Sequence, residues 1–232
     1  MDENAFQILL SKVVRLIGKK DTVLREAISP HVRLIATLRF LATGRSFQDL
    51  TFSMRVSPQA LGEIIIETCV AIRKALQNFI QLPKSEEEWK QVAHDFEEKW
   101  QFPHCLGAVD GKHIQIKNLR IPALVPSVFY DSLKKGELNI PLPEHLPGSN
   151  KTAPYVFVGD EAFELQDNFM KPYSFSVLNH ERRIFNYRLS RGRRIVENFF
   201  GILVSRFTVF QKPINLSPTE VNAIVLACCT IS

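Results

Sequence analysis

Hydrophobic side chains recur at helical spacing through the first third of the chain. Between residues 6 and 80 they fall three or four positions apart, which is the pattern of amphipathic α-helices. Gly18 is placed to end the first of these helices. A second helix is predicted to begin at Pro30 and to end at Gly44, because proline is favoured at the start of a helix and glycine just past its end. The N-terminal part of the chain is therefore predicted to be helical.

A short turn separates the next two predicted helices. Ser46 is a typical N-cap for the first, and Ser57 with Pro58 begins a long helix that runs to residue 79. Residues 46–79 thus have the spacing of a helix-turn-helix, which would place Gln59 and its polar neighbours in a DNA groove. The first turns of the long helix carry glutamates instead of basic residues, so a plain helical bundle is an equal alternative.

The pattern changes from helix to strand beyond residue 100. An acidic amphipathic helix over residues 84–100, capped by Ser85, precedes the change. Two apolar runs, 105–109 and 155–159, then have the length and composition of buried strands. A domain boundary is expected near Gln101, between a helical domain and an α/β domain.

Residues 117–154 between the two strands are rich in proline and glycine, which marks loops. One short helix is predicted within them, over residues 127–135. After the second strand, helices are predicted over residues 188–206 and 221–229, the last one capped by Ser217.

Each of the two predicted strands ends at an aspartate, Asp110 after the first and Asp160 after the second. A third acid, Glu197, lies on a predicted helix. Carboxylate oxygens suit Mg²⁺ or Mn²⁺, and a pair of such ions neutralises the attacking and leaving oxygens of a phosphodiester. Each acid also has an ordinary local alternative, which is a turn for the first, a cap for the second, and an ion pair with Arg193 or Arg194 for the third.

The basic residues of the chain are concentrated in one segment. The formal net charge is +5, and residues 182–194 contain six arginines, with only Glu181 and Glu197 as nearby acids. Arginine favours bidentate contact with phosphate, which indicates a nucleic-acid partner. A solvated helix face is the alternative. The six are Arg182, Arg183, Arg188, Arg191, Arg193 and Arg194.

Four segments resemble the PIF/Harbinger transposases and the nucleases derived from them, in the order of that family. They are residues 37–44, 106–113, 158–163 with 170–173, and 185–198. The resemblance implies a DDE active site on an RNase H-like fold, in which Asp110, Asp160 and Glu197 hold two Mg²⁺ or Mn²⁺ ions and hydrolyse DNA. It therefore implies an α/β fold, with an N-terminal helical (helix-turn-helix-like) domain over residues 1–100 and an RNase H-like mixed sheet flanked by helices over residues 101–232.

The resemblance also implies partners and a location. DNA is the expected partner, with a Myb-like protein helping to recognise the target. The nucleus is the expected compartment, with the cytoplasm as an additional one. The residues expected to contact nucleic acid are Lys112, Arg188, Arg191, Arg193 and Arg194.

One departure from the family affects the expected activity. The predicted strand Ile114–Ile116 leads directly into a proline-containing segment, and the stretch from Lys117 to Val125 is too short for the hairpin of two further strands that the family places there. The sheet is therefore expected to be shortened and the chain to cleave DNA poorly. A catalytically inactive DNA- or protein-binding remnant, or a shortened isoform, is the alternative to a nuclease.

The cysteines and the first residues add little to this interpretation. Cys69, Cys105, Cys228 and Cys229 lack the spacing of a zinc site and are expected to be reduced thiols in an intracellular protein. No secretory signal and no membrane span are expected.

Overall fold

The computed structural model describes residues 1–23, 26–111, 114–117 and 127–232. The helices are α1 (Glu3–Ile17), α2 (Pro30–Thr43), α3 (Phe47–Met54), α4 (Pro58–Ala75), α5 (Glu86–Trp100), α6 (Ser127–Lys134), α7 (His180–Arg206) and α8 (Pro218–Ile231). The strands are β1 (Cys105–Ala108), β2 (Glu144–His145), β3 (Thr152–Ala153), β4 (Val156–Val158) and β5 (Phe169–Met170). The predicted α/β class is confirmed.

The chain forms two compact units. The first contains Met1–Gln81, Ile114–Ile121 and Ile202–Ser232, and the second contains Leu82–His113 and Pro122–Gly201. Helix α5 belongs to the same unit as the sheet, since it packs on β1. The domain boundary near Gln101 stays a prediction.

In the first unit, helix α4 is central. It packs against α1, α2, α3 and α8, and its apolar face is fully buried, with Leu61, Ile65 and Ile72 inaccessible to solvent. The helical spacing of its apolar positions gives α4 a wide apolar face, and such a face must be buried against neighbouring elements. Residues 46–79 form α3 and α4 with a turn between them, and their role as a helix-turn-helix stays a prediction.

The predicted helix ends of this unit are confirmed with one exception, the end of the long helix. Gly44 follows α2 in the left-handed conformation, with φ of 58°, and its N–H donates to Phe40 O at 2.9 Å. Ser46 caps α3 in a reciprocal pair with Asp49. The long helix begins at Pro58 as predicted but ends at Ala75, and a short 3₁₀ turn follows.

In the second unit, a three-stranded parallel sheet has the order β1-β4-β5. Trp89 of α5 is buried against it, with its ring edge-on to Phe157 at 5.5 Å and its Nε1 donating to Leu138 O at 2.7 Å. This fixes α5 on one face of the sheet. Apolar side chains from β1, β4 and β5 complete the core.

The predicted mixed sheet is wrong for the part of the chain that the structure describes. The antiparallel strands β2 and β3 pair only with each other, in a hairpin inside the segment predicted as loops. The run 114–116 also forms no strand of the main sheet, since Ile116 makes a single parallel bridge to Ile214.

Helix α7 begins eight residues before the predicted start at 188. Asn179 explains the difference, because its side chain accepts a hydrogen bond from the Arg182 N–H at 2.8 Å and so caps the helix. The final helix α8 has the predicted cap, with Ser217 and Glu220 in a capping box. Among the described helices, none has the length and apolar character of a membrane span.

Candidate active site

Asp110 and Asp160 come from neighbouring parallel strands. Ala108 of β1 is paired with Val158 of β4, and each aspartate follows two residues later. The Val109 N–H donates to Val158 O at 2.8 Å, so the ladder continues beyond β1. Because parallel strands end at the same edge of a sheet, the two aspartates lie side by side at that edge. The strands that carry Asp110 and Asp160 are therefore direct neighbours in the sheet.

Asp160 has a local hydrogen bond of the kind expected after a strand. Its Oδ1 accepts from the Ala162 N–H at 2.9 Å, which satisfies a backbone donor in the turn after β4. The side chain is half-buried. The structure therefore shows the capping alternative for Asp160, with Oδ1 as the oxygen that accepts the hydrogen bond.

Glu197 reaches the site through an arginine. On α7, Arg193 lies one turn before Glu197, and its Nη2 is 3.5 Å from Glu197 Oε1. The same nitrogen is 3.4 Å from Asp110 Oδ1. A single guanidinium group therefore connects the acid after β1 with the acid on α7. The pairing of Glu197 with Arg193, which the sequence left open as the alternative, is present.

The burial of this bridge is uneven. The side chains of Arg193 and Asp110 are 17% and 21% exposed, whereas that of Glu197 is 51% exposed. Arg193 Nε is buried and has no hydrogen-bond partner among the described residues. The guanidinium therefore contacts the two carboxylates through Nη2 and not through Nε.

The arrangement does not fit a bound metal pair. Hard divalent ions require several oxygen ligands around one point, and three carboxylates would supply them. In the described part of the chain, however, no group of three acid, histidine or cysteine side chains could hold a metal ion. Arg193 lies between Asp110 and Glu197 instead. The metal-ligand roles of Asp110, Asp160 and Glu197 stay predictions.

The other predicted nucleic-acid contacts lie on α7 or outside the described residues. Lys112 is outside them. Arg188 and Arg194 are exposed, and Arg191 is half-buried, with its guanidinium 5.9 Å from the Tyr187 ring centroid. Arg193 differs from these, because it faces the acids.

The sequence did not reveal the aromatic partners of these arginines. Besides Tyr187, Tyr173 lies beneath Arg182, whose guanidinium is 4.9 Å from the ring centroid. The Arg182 Nη1 also donates to Val177 O at 2.7 Å. The contact between Tyr187 and Arg191 could have been predicted, because side chains four residues apart on a helix are neighbours and an arginine can pack on a tyrosine ring.

Comparison with known proteins shows what the chain is similar to. Residues 125–232 match the family model described as DDE superfamily endonuclease. A Rattus norvegicus protein named as a nuclease, HARBI1, is 22% identical over 252 residues, which cover 94% of this chain and 72% of the relative. These matches confirm the resemblance to Harbinger transposase-derived nucleases. No solved structure matches the chain significantly.

Two of the three predicted site acids, Asp160 and Glu197, lie in the segment matched by the endonuclease family, and Asp110 precedes it. The alignment with the Harbinger-type rat protein is longer than the whole chain of 232 residues. That relative therefore has residues without a counterpart here.

Proposed function

We propose that this chain is a DNA-binding derivative of a Harbinger-type DDE nuclease. The basic face of α7 binds the DNA backbone, and Asp110, Asp160 and Glu197 are the DDE carboxylates. The observation that carries the proposal is the parallel register of β1 and β4, which brings two of these acids together next to an arginine-rich helix.

The basic face is suited to phosphate because of its composition. We define it as Arg183, Tyr187, Arg188, Arg191 and Arg194, of which all but the half-buried Arg191 are exposed. Guanidinium groups bind phosphate oxygens in a bidentate manner, and tyrosine can stack on bases. The segment 182–194 contains no acid that would cancel this charge. Binding of DNA, which is mainly electrostatic in origin, follows from these features.

A second candidate function is metal-dependent hydrolysis of DNA phosphodiesters. The side-by-side placement of Asp110 and Asp160 favours it, since both are in position to supply oxygen ligands at one edge of the sheet. Mg²⁺ or Mn²⁺ would supply the charge neutralisation for that reaction. The bridge through Arg193 does not fit such ions, so the geometry supports DNA binding more directly than cleavage.

Fluorescence anisotropy on duplex DNA tests the proposed function. Charge reversal of Arg188 and Arg194 together is expected to weaken binding at least tenfold at about 0.1 M salt. It should also reduce the slope of log affinity against log salt by about 0.9 for each phosphate that these arginines neutralise. The matched control reverses Arg15 and Arg73, which are exposed on α1 and α4. Equal decreases in affinity for the two double variants would show that net charge, and not the basic face, determines DNA binding.

Location and partners are part of the same proposal. A DNA-binding protein of this type acts in the nucleus, and a Myb-like protein helps it to find its target. Imaging of the tagged chain in cells tests the first statement, and co-purification with a Myb-like partner tests the second.

A further inference from the structure

Arg193 contacts two of the three proposed DDE carboxylates. One nitrogen atom, Nη2, contacts both Asp110 Oδ1 at 3.4 Å and Glu197 Oε1 at 3.5 Å. The guanidinium group of Arg193 therefore places one positive charge beside two carboxylates. Asp160 is not part of this bridge, since its Oδ1 accepts from the Ala162 N–H.

This contact is more than an incidental surface pair. Only 17% of the Arg193 side chain is exposed, and its Nε is buried without a hydrogen-bond partner in the described residues. Burying an unpaired donor has a free-energy cost. An exposed rotamer would avoid that cost, so the contacts of Nη2 with the two acids are what favour the buried position.

The bridge is also loose enough to be displaced. Contacts of 3.4 and 3.5 Å are longer than the usual distance of about 2.7–2.9 Å in a charge-assisted hydrogen bond. Glu197 is half-exposed, which weakens its pair with Arg193 by solvent screening. A competing cation could therefore take over these oxygens if Arg193 moved away.

We propose that Arg193 is the counter-cation of this site and that it excludes divalent metal from Asp110 and Glu197 for as long as it contacts them. Metal ions need the same carboxylate oxygens, and a guanidinium beside them repels a second cation. This inference rests on the proposed function, because it takes Asp110 and Glu197 as DDE carboxylates. Removal of the Arg193 charge would leave the oxygens of Asp110 and Glu197 free to bind a divalent ion.

Calorimetric titration of the full chain with Mn²⁺, in the absence of DNA, tests this inference. The variant Arg193→Met keeps an unbranched apolar stem and removes the charge, and it breaks no hydrogen bond of Nε among the described residues. We expect Arg193→Met to bind Mn²⁺ about tenfold more tightly than the wild type. Adding Asp110→Asn to this variant should abolish the gain.

The matched control is Arg194→Met. Arg194 is the next residue on α7, is exposed and is not part of the bridge, so its removal changes the net charge equally. We expect it to bind Mn²⁺ as the wild type does. An equal gain in both variants would show a general charge effect and overturn the inference.

Two further outcomes would also overturn it. Tight binding of Mn²⁺ by the wild-type chain would show that Arg193 does not exclude metal. This titration requires no variant. An Arg193→Met or Arg193→Gln protein that is folded by circular dichroism and gains no Mn²⁺ affinity would show that the bridge hides no metal site. Because DNA is absent from the titration, neither outcome depends on whether the basic face binds DNA.

Discussion

The ring of Phe169 occupies the space beside Gly159 that any larger residue would need. A β-carbon at Gly159 would lie 2.6 Å from Phe169 Cε1 and 2.8 Å from Phe163 Cδ2. Phe169 is fully buried in β5, so its ring cannot swing into solvent. Gly159 is thus required for β4 and β5 to pack as they do, directly before Asp160.

Gly159→Ala is therefore expected to destabilise the protein by about 1–3 kcal/mol through overpacking. Urea unfolding followed by tryptophan fluorescence measures the change. Gly201→Ala is the matched control, since the added β-carbon has no described atom within 4 Å. In a helix this control should be neutral or stabilising by up to about 1 kcal/mol. Similar unfolding midpoints for the two variants would contradict the role of Gly159.

A second prediction concerns the hairpin of β2 and β3 and its dependence on pH. The Glu144 carboxylate accepts from Lys90 Nζ at 2.5 Å and from the Tyr155 hydroxyl at 3.0 Å. The hydrogen bond from Lys90, followed by that from Tyr155, lowers the pKa of Glu144 below its usual 4.5. A lowered pKa in the folded state contributes stability above about pH 4.5, and this contribution disappears as the pH falls through the folded-state pKa.

We expect Glu144→Gln to be less stable than the wild type at neutral pH, with a difference that shrinks below about pH 4.5. Thermal unfolding at several pH values measures this difference. Glu137→Gln serves as the control, since this exposed acid bonds only to Ser132 within the described residues and lies outside the Lys90 contact. A stability difference for Glu144→Gln that stays constant down to about pH 3 would contradict the prediction.

The third prediction is that the chain cleaves DNA poorly. Arg193 contacts two of the three proposed DDE acids, and no metal-holding group is assembled from the described residues. Small displacements of reacting groups reduce catalysis strongly. In a plasmid-nicking assay with Mn²⁺, the wild type should act no faster than Asp160→Ala. Robust nicking that this substitution abolishes would show an active nuclease.

A fourth prediction separates the two possible DNA-binding surfaces. Near its start, helix α4 presents Gln59 and Glu63 to solvent, and neither is cationic. Phosphate contacts dominate affinity for DNA, so Gln59→Ala is expected to change it less than about twofold, whereas reversal of Arg188 and Arg194 weakens it at least tenfold. The anisotropy assay measures both. A larger decrease from Gln59→Ala would favour the helix-turn-helix as the DNA-binding element.

Much of the local structure could be predicted from the sequence. Ser46, Ser57 and Ser217 cap the helices predicted for them, and the two apolar runs before Asp110 and Asp160 form β1 and β4. The start of α7 was missed, although Asn179 is a typical cap. Four motifs in family order also indicated the resemblance that the comparisons confirm.

The sequence by itself determined which residues form helices and strands and which acids are candidates for the site. Those properties depend on hydrophobic periodicity and on hydrogen bonds between residues a few positions apart. Only the tertiary structure decided that Arg193 connects Asp110 with Glu197. It also showed that the described residues contain no group of three acid, histidine or cysteine side chains that could hold a metal ion. The contact between Arg193 and Asp110 joins residues 83 positions apart, so it exists only once α7 has packed beside the sheet.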